Sequence, residues 1–415
     1  MTKLKITKDL GYSILFAICI LVTYLDVYEL TFLIWTIVFF ITIKRKYSVT
    51  IFQLISPFIA IIVIASFSTL FFKNDFYAII RDITYLVKPI LGLLLGYQLC
   101  RSANMKVIET IIYVGFIIAI IHLLIIVKSI YIYKILNIHQ LRLYSGYFSD
   151  FEVYAFILVL FHKKFDIDFK KTFYYILILT IGLSSFLYLS RANFLQGIIL
   201  YLVLKGYFSF NRRTILVLLS LFTISAVGYS LIYNMNLSRN GKGLEALFYK
   251  IKNAPTEAFK TKVDKEDWAD FNDNYRAYEN VITYKQVKNE GALAVVIGKG
   301  LGSKVNLGQK LYTNDGSVLT QISMLHNAYM TVYLKAGIIG VFFLFYFLRL
   351  LLKRKKSDDV YINNLSLLVF ATAIYLIIDN WVLLGLYLKT ESKAIVIGIL
   401  LAFIEYNKNK KQEIE

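Results

Sequence analysis

The chain has too few cysteines for a domain held together by disulfide bonds or for a cysteine-ligated metal centre. Only two of its 415 residues are cysteines. Cys19 lies inside an apolar run and Cys100 at the end of another, and neither has a disulfide or zinc-ligand spacing. The sequence also lacks a nucleotide-binding Walker motif, a His-x-x-x-His pair and a Ser-His-Asp order. We therefore expect no metal and no cofactor.

Charge is also scarce. Charged residues make up 18% of the chain and hydrophobic residues 58%, and the mean hydropathy is +0.61. A soluble protein of this length would carry far more charge on its surface. The net charge of +19 would suit nucleic acid, but the lysines and arginines form short clusters between apolar runs. That pattern is typical of membrane proteins, so we expect no nucleic acid partner.

Twelve apolar runs are present, and a helix needs about 20 apolar residues to cross roughly 30 Å of hydrocarbon. The runs lie near residues 11–25, 29–43, 51–72, 77–99, 107–133, 150–162, 172–189, 192–208, 214–233, 327–352, 364–388 and 392–406. The first follows three lysines but has no small-residue cleavage site, so we interpret it as an uncleaved span. The predicted fold is an all-α polytopic membrane protein.

The loops between the runs alternate in charge, with basic clusters such as residues 44–46 and 353–356. Basic loops stay in the cytoplasm, so twelve spans would place both lysine-rich termini inside. The predicted organisation is transmembrane helices one to nine in residues 1–233, a large extracytoplasmic loop in 234–325, and helices ten to twelve with a cytoplasmic tail in 326–415.

The segment 234–325 has mixed charge and could be a disordered loop. Its aromatic residues and glycines favour an ordered cap over the membrane helices. Residues 275–287 are predicted to form an amphipathic helix, and residues 298–302 a glycine-rich turn. The two halves of the chain show no matched repeats, which an inverted-repeat transporter would have.

Several charged residues lie where predicted spans reach the outer side. Ionisable residues in spans usually face a cavity or a partner. We expect six of them to converge on one outward-facing region: Arg81, Lys88, Arg142, Arg191, Arg276 and His326. Such cations suit a phosphate or pyrophosphate, which arginine binds with two parallel hydrogen bonds. Arg81 could instead pair with Asp75, and Asp379 could be a buried hydrogen-bond partner.

His326 is the best candidate for a general base. The other histidines, His122, His139 and His162, lie in positions more typical of structural residues. His326 stands at the outer start of the tenth run, next to Asn327. A neutral imidazole near pH 7 can accept a proton from a hydroxyl.

The residues around this histidine resemble a known signature. The run His326-Asn327-Ala328-Tyr329, followed by Gly337 and Gly340 in an apolar helix, resembles that of the O-antigen ligase/polymerase family, which includes Wzy-type polysaccharide polymerases and WaaL-like ligases. Three further elements agree in order and spacing: Ser190-Arg191-Ala192-Asn193, Arg276 with its following helix, and the turn at 298–302. The resemblance is clearest over residues 140–345. Ala192 replaces a usual glycine, and the helix after Arg276 has no tryptophan.

The resemblance implies a membrane glycosyltransferase with its active site at the outer face and without metal or nucleotide. The donor would be a polyprenyl-diphosphate-linked glycan and the acceptor a second glycan. His326 would deprotonate or orient the acceptor hydroxyl, while Arg191 and Arg276 would hold the donor diphosphate. The expected substrate-binding residues are Arg81, Lys88, Arg142, Asn327, Lys299, Tyr329 and Asp379.

The implied reaction is the polymerisation of lipid-linked repeat units into a surface, O-antigen or capsular polysaccharide at the bacterial cytoplasmic membrane. One alternative is a ligase that passes the finished glycan to a lipid or protein acceptor. An alternative of another class is a flippase or transporter of the lipid-linked oligosaccharide. Membrane lipid, a chain-length regulator and a separate flippase are the other expected partners of a polymerase.

Overall fold

The structure, a computed structural model, describes residues 2–135, 138–146, 149–208, 212–238, 244–312, 318–353 and 357–412. Residues 354–356 of the predicted basic cluster lie outside these ranges. The first ten helices are α1 (Thr2–Leu21), α2 (Tyr28–Ile41), α3 (Val49–Thr69), α4 (Phe76–Leu99), α5 (Val107–Tyr131), α6 (Ile138–Ser145), α7 (Asp150–Leu160), α8 (Lys171–Leu187), α9 (Arg191–Leu204) and α10 (Arg212–Tyr233).

The remaining elements include a small antiparallel sheet. They are α11 (Leu244–Phe259), α12 (Trp268–Asp273), α13 (Tyr275–Asn289), α14 (Ala292–Ile297), β1 (Val305–Tyr312), β2 (Val318–Ile322), α15 (Ala328–Leu352), α16 (Val360–Val382) and α17 (Lys393–Gln412). Single turns of 3-10 helix occur at Val22–Leu25, His162–Phe165 and Gly385–Tyr387. The prediction of an all-α fold therefore missed one β-hairpin.

The fold is mostly helical and has the apolar helices of a membrane protein. A helix lies at each of the twelve apolar runs. Within the described residues, five segments are long and apolar enough to cross a membrane: Lys8–Leu25, Val49–Thr69, Val107–Tyr131, Ala328–Leu352 and Val360–Val382. Helices such as α2, α7 and α9 are shorter than the roughly 20 residues that a straight span needs. Large apolar side chains stay exposed on several helices, for example Leu124 and Leu179, as contact with lipid requires.

Helices α4 and α17 pack with their backbones in direct contact. A Cβ added at Gly96 would lie 2.1 Å from the carbonyl oxygen of Ile395, and one at Gly398 would lie 2.2 Å from that of Leu93. Small residues allow this close approach. In lipid the hydrophobic effect does not drive helices together, so the van der Waals contacts between the two backbones stabilise the pair. This contact helps to fix the position of α4, whose first turns lie under the candidate site.

Helix α15 is broken at Gly337, which has φ +65° and ψ −161°. The expectation of one long helix over 327–352 is therefore wrong. A Cβ at this position would lie 2.3 Å from the carbonyl oxygen of Val296, so a glycine is required here. The two parts of α15 fold towards each other, because the rings of Tyr329 and Phe345 stack with centroids 4.9 Å apart.

The segment between α10 and α15 is folded where the structure describes it. Helix α13 confirms the predicted amphipathic helix, with Glu279, Thr283 and Val287 buried along one face. Its buried face meets the hairpin and the first part of α15 in a small apolar core of Val287, Ala294, Val305, Leu307, Ile322, Leu325, Tyr333 and Leu334. An ordered cap is thus the better of the two interpretations of this segment.

The glycine-rich turn at 298–302 fastens this segment to the membrane helices. The Gly302 amide donates to Asp82 of α4 at 2.7 Å, and Asp82 forms a fully buried ion pair with Lys335 of α15 at 2.6 Å. The Ser68 hydroxyl donates to the Gly298 carbonyl, and the Leu301 amide donates to the Thr69 hydroxyl. Because its backbone is used in these bonds, the turn acts as a structural joint.

Replacing Gly300 with alanine should loosen this joint. Gly300 has φ +78°, and an added Cβ would lie 2.5 Å from the Thr69 backbone nitrogen. We expect the free energy of unfolding of the detergent-purified protein to fall by about 2–4 kcal/mol, since backbone strain and overpacking add together. Denaturant-induced unfolding followed by tryptophan fluorescence measures this loss.

Gly291→Ala is the matched control. Gly291 has φ +106°, but no atom outside its immediate chain neighbours lies within 4 Å of an added Cβ. This variant should lose only the backbone part, about 1–2 kcal/mol. Equal losses in the two variants would contradict the close packing of the turn against α3.

Candidate functional site

Two arginines from distant parts of the chain share one carboxylate. Arg191, the first residue of α9, contacts Oε2 of Glu257 through Nη2 at 2.8 Å. Arg276 on α13 contacts Oε1 of the same glutamate through Nη1 at 3.2 Å. All three side chains are partly exposed, at 35%, 30% and 21% for Arg191, Arg276 and Glu257. The two guanidinium groups therefore flank an anion-sized position that solvent can reach.

The position of Arg191 at the start of a helix is favourable only with an anion beside its guanidinium group. The last turn of α8 ends at Leu187, and Ser190 begins α9 in an extended conformation without a side-chain cap. The positive end of the helix dipole disfavours a cation at this position. A negative charge beside Arg191 offsets that repulsion, and Glu257 supplies it in this structure.

Two further cations surround the pair. The pKa of the Lys250 ammonium is lowered by burial and then by the charges of Arg142 and Arg191, with a further contribution from Arg276. Burial also lowers the pKa of Arg276, and Arg191 lowers it again, whereas Glu257 raises it. Arginine stays protonated even so. We call Arg142, Arg191, Lys250 and Arg276 the cation cluster.

His326 is held by a buried glutamate. Its Nδ1 lies 3.0 Å from Oε2 of Glu279, and its backbone amide donates to the same oxygen at 2.9 Å. The His326 side chain is 52% exposed and that of Glu279 is 2% exposed. An ionised carboxylate only accepts hydrogen bonds, so Nδ1 donates to Glu279, and in the neutral imidazole the lone pair then lies on Nε2. The edge of the Tyr275 ring packs against the imidazole.

Helix α13 joins the histidine to the cation cluster. Arg276 and Glu279 are three residues apart, which places them one turn apart on neighbouring positions of the helix surface. The Glu279 charge also acts on Arg276, whose pKa it raises against the effect of burial. The guanidinium pair and the His326–Glu279 pair therefore belong to one site.

Three of the predicted site residues support His326 and its surroundings from below. Arg81 donates from Nη2 to the Ser323 hydroxyl at 2.6 Å, three residues before the histidine. Asn327 caps α15, since its Oδ1 accepts from the Met330 amide. The Tyr329 hydroxyl donates to the Ile377 carbonyl, and its ring is almost fully buried. These contacts position the backbone that carries His326.

Lys88 and Asp379 do not join the cation cluster. Lys88 is buried and donates to the backbone carbonyls of Leu388 and Lys389. Asp379 is also buried, 3.2 Å from the Lys393 ammonium, which further contacts Asp150. The expectation that Lys88 faces outwards with the arginines is wrong. A buried lysine needs hydrogen-bond acceptors inside the protein, and these two carbonyls, in the connection between α16 and α17, supply them.

Lys299 is directed to a different neighbour as well. Its Nζ lies 2.5 Å from Oε1 of Glu290, and its carbonyl oxygen accepts from the Asn74 side chain. Both of these contacts belong to the joint at 298–302. The residue was predicted to bind substrate, but its geometry is that of the structural turn.

The sequence analysis missed Glu279, Glu257 and Lys250. Glu279 had a signal, since it is a charged residue on the predicted buried face of the helix 275–287 and follows Arg276 by three residues. Glu257 and Lys250 lie on α11, and no sequence pattern predicts that this helix packs beside Arg191. The described residues contain no group of three His, Cys, Asp or Glu side chains arranged as metal ligands.

Comparisons with protein-family models and with curated proteins find no match to this chain.

Proposed function

We propose that the protein is a membrane glycosyltransferase that polymerises polyprenyl-diphosphate-linked repeat units into a surface polysaccharide. One observation carries the proposal: α13 presents Arg276 to a shared anion position with Arg191 and, one turn later, presents Glu279 to His326. Transfer of a glycan to a hydroxyl requires cations for a leaving diphosphate and a base for the incoming hydroxyl. Both stand side by side here.

The chemistry assigns one task to each group. The acceptor hydroxyl oxygen forms a bond to the anomeric carbon of the donor while the bond from that carbon to the diphosphate oxygen breaks. The hydroxyl proton moves to Nε2 of His326, and Glu279 stabilises the imidazolium that results. The electron pair of the broken bond leaves with the diphosphate, whose growing charge Arg191 and Arg276 neutralise.

The proposal includes the topology of twelve spans with both termini in the cytoplasm and segment 234–325 outside. Glu257 joins Arg191 to Arg276, and Glu279 joins His326 to the helix of Arg276. These contacts support the topology, because the start of α9, helix α13 and the start of α15 must then lie on one side of the membrane. Basic loops occupy the other side. The donor would reach the site from the outer leaflet of the bacterial cytoplasmic membrane after a separate flippase has moved it there.

A deletion strain tests the function. Deleting the gene should remove long polysaccharide chains from the cell surface while single repeat units remain on their acceptor, and the wild-type gene should restore the long chains. Gel electrophoresis of the surface polysaccharide measures the chain lengths. Long chains that accumulate on the polyprenyl carrier would instead identify a ligase. Repeat units trapped on the cytoplasmic leaflet would identify a flippase.

A further inference from the structure

The carboxylate of Glu257 has the position that an anionic ligand of the arginine pair would need. One oxygen contacts Arg191 at 2.8 Å and the other contacts Arg276 at 3.2 Å. Arginine binds carboxylate and phosphate with the same planar fork, so one anion can replace the other between the two guanidinium groups. If the site takes a diphosphate, as the proposed function requires, that diphosphate and Glu257 compete for the same donors.

The positive charges of the cation cluster favour a diphosphate over the carboxylate of Glu257. Arg142, Arg191 and Arg276 all act on Lys250, so four positive charges lie close together, and they are opposed by Glu257 and, at Arg276, also by Glu279. The pKa of Lys250 remains lowered even with Glu257 present, since burial and the arginines outweigh its effect. A diphosphate carries more than one negative charge and would neutralise the cluster further than one carboxylate does.

Helix α11, which carries Glu257, is held mainly by polar contacts. None of its side chains that the structure describes is fully buried. The Lys250 carbonyl accepts from Arg191 at 2.9 Å, and the Lys252 carbonyl accepts from the Tyr229 hydroxyl at 3.0 Å. Segments with few buried apolar contacts open at low free-energy cost. The attachment of α11 is thus of the kind that a binding event can release.

A proline separates the last turn of α11 from the rest of the helix. Pro255 lies inside the helix two residues before Glu257 and removes one backbone hydrogen bond. Beyond Glu257, Phe259 is 69% exposed and touches α16 by stacking on Trp381, with centroids 5.8 Å apart. Among the described residues, the end of the helix is held by the shared carboxylate, by the exposed ring stack and, one residue beyond the helix, by an ion pair between Lys260 and Asp270.

We propose that Glu257 is a latch: in the ligand-free protein it closes the anion position between Arg191 and Arg276, and a lipid-linked diphosphate must displace it and the end of α11 to bind. The inference rests on the proposed function, since it names the event that admits the donor to that same site. Displacement leaves Glu257 in water and exposes the arginine pair to the diphosphate. Between turnovers, Glu257 partly offsets the positive charges of the cation cluster. The site then opens only to an anion that binds the two arginines more tightly than a carboxylate does.

Glu257→Gln tests the latch with farnesyl diphosphate as the probe, a short polyprenyl diphosphate. The purified full-length protein in lipid nanodiscs is titrated with labelled probe. The amide keeps the shape of the side chain but loses the charge, so the closed state weakens. The dissociation constant should fall about tenfold if the latch is closed about nine-tenths of the time. Glu245→Gln on the same helix, whose carboxylate accepts from the Ser238 amide, is the matched control and should leave the constant unchanged.

A second measurement does not depend on the variant. Hydrogen exchange of the α11 amides over residues 250–259 should become faster when farnesyl diphosphate binds the wild-type protein, because the helix end is released. Slower exchange there would mean that α11 closes over the ligand, and it would overturn the latch. So would a Glu257→Gln protein that binds the probe no more tightly than wild type.

These outcomes are separable from a failure of the proposed function. If wild type binds the probe and Arg191→Ala weakens that binding, the anion site stands, and Glu257→Gln alone decides the latch. If the wild-type protein shows no saturable binding, or Arg191→Ala binds as well as wild type, the anion site between the arginines is wrong and the latch falls with it.

Discussion

His326→Ala should stop the lengthening of lipid-linked glycan chains while the protein is still made and inserted. The variant removes the only group that the proposed mechanism uses to take the acceptor proton. A positioned general base typically contributes about 10²–10⁴-fold to a rate, so long chains should disappear and single repeat units should remain. Stability should fall only modestly, because the imidazole is half exposed and Glu279, which loses its bond to Nδ1, still accepts from the backbone amide at position 326.

The measurement is the chain-length distribution in a deletion strain that carries each variant, with the amount of protein in the membrane determined by immunoblot. His162→Gln is the control, since His162 bonds to the Val159 carbonyl and packs on Phe169 in another part of the fold. It should give wild-type chains. Normal chain length in the His326→Ala strain at normal protein level would rule out His326 as the base.

A graded effect is expected at Glu279. Glutamine can still accept a hydrogen bond from Nδ1 but lacks the charge that stabilises the imidazolium. Partners of this kind usually contribute about 10–100-fold, so Glu279→Gln should shorten the chains without abolishing them. Added to His326→Ala, the same change should have no further effect, because a residue that acts through the imidazole has nothing left to position.

The apolar runs were enough to locate twelve helices, and α13 was predicted almost to the residue, but α6, α11, α12 and α14 were not predicted. They could not show that α15 is broken. The break depends on the approach of the Val296 carbonyl to Gly337, a contact between two residues that are 41 positions apart in the chain. Hydropathy also could not reveal the hairpin, whose strands contribute only a few buried side chains such as Val305 and Leu307.

The site was predictable only where a residue's role follows from its own neighbourhood. Arg191, Arg276 and His326 stand at the predicted outer ends of apolar runs or in the long segment, and the structure joins them through Glu257 and Glu279. Lys88 looked equivalent by its position in a span. Its ammonium instead donates hydrogen bonds to the carbonyls of Leu388 and Lys389, which are about 300 residues away in the chain. The charge pattern predicts on which side of the membrane a cation lies, whereas the hydrogen-bond or ion-pair partner of that cation depends on tertiary packing.

Arg191→Ala should slow polymerisation by about 10²–10³-fold, the usual cost of removing one preorganised donor from a developing charge. Arg191→Lys should recover little of this loss, because an ammonium is a point charge that cannot form two parallel hydrogen bonds to a phosphate. Initial rates in membrane vesicles supplied with lipid-linked repeat units measure both effects. Arg349→Lys is the control, since Arg349 is exposed near the end of α15. Full activity of Arg191→Lys would contradict a bidentate role.

The double variant Arg191→Ala with Arg276→Ala decides whether the two arginines act on one group. In the structure they contact the two oxygens of a single carboxylate, so a diphosphate between them would be shared in the same way. When two residues bind the same group, removing either one already loses most of the rate enhancement that they give jointly. Removing the second then slows the reaction less than it does in the wild-type protein. Two arginines that served separate substrates would instead give independent losses that multiply. A double variant slower than wild type by the full product would thus separate the arginines and remove the clamp from the mechanism, even if each single variant were impaired as expected.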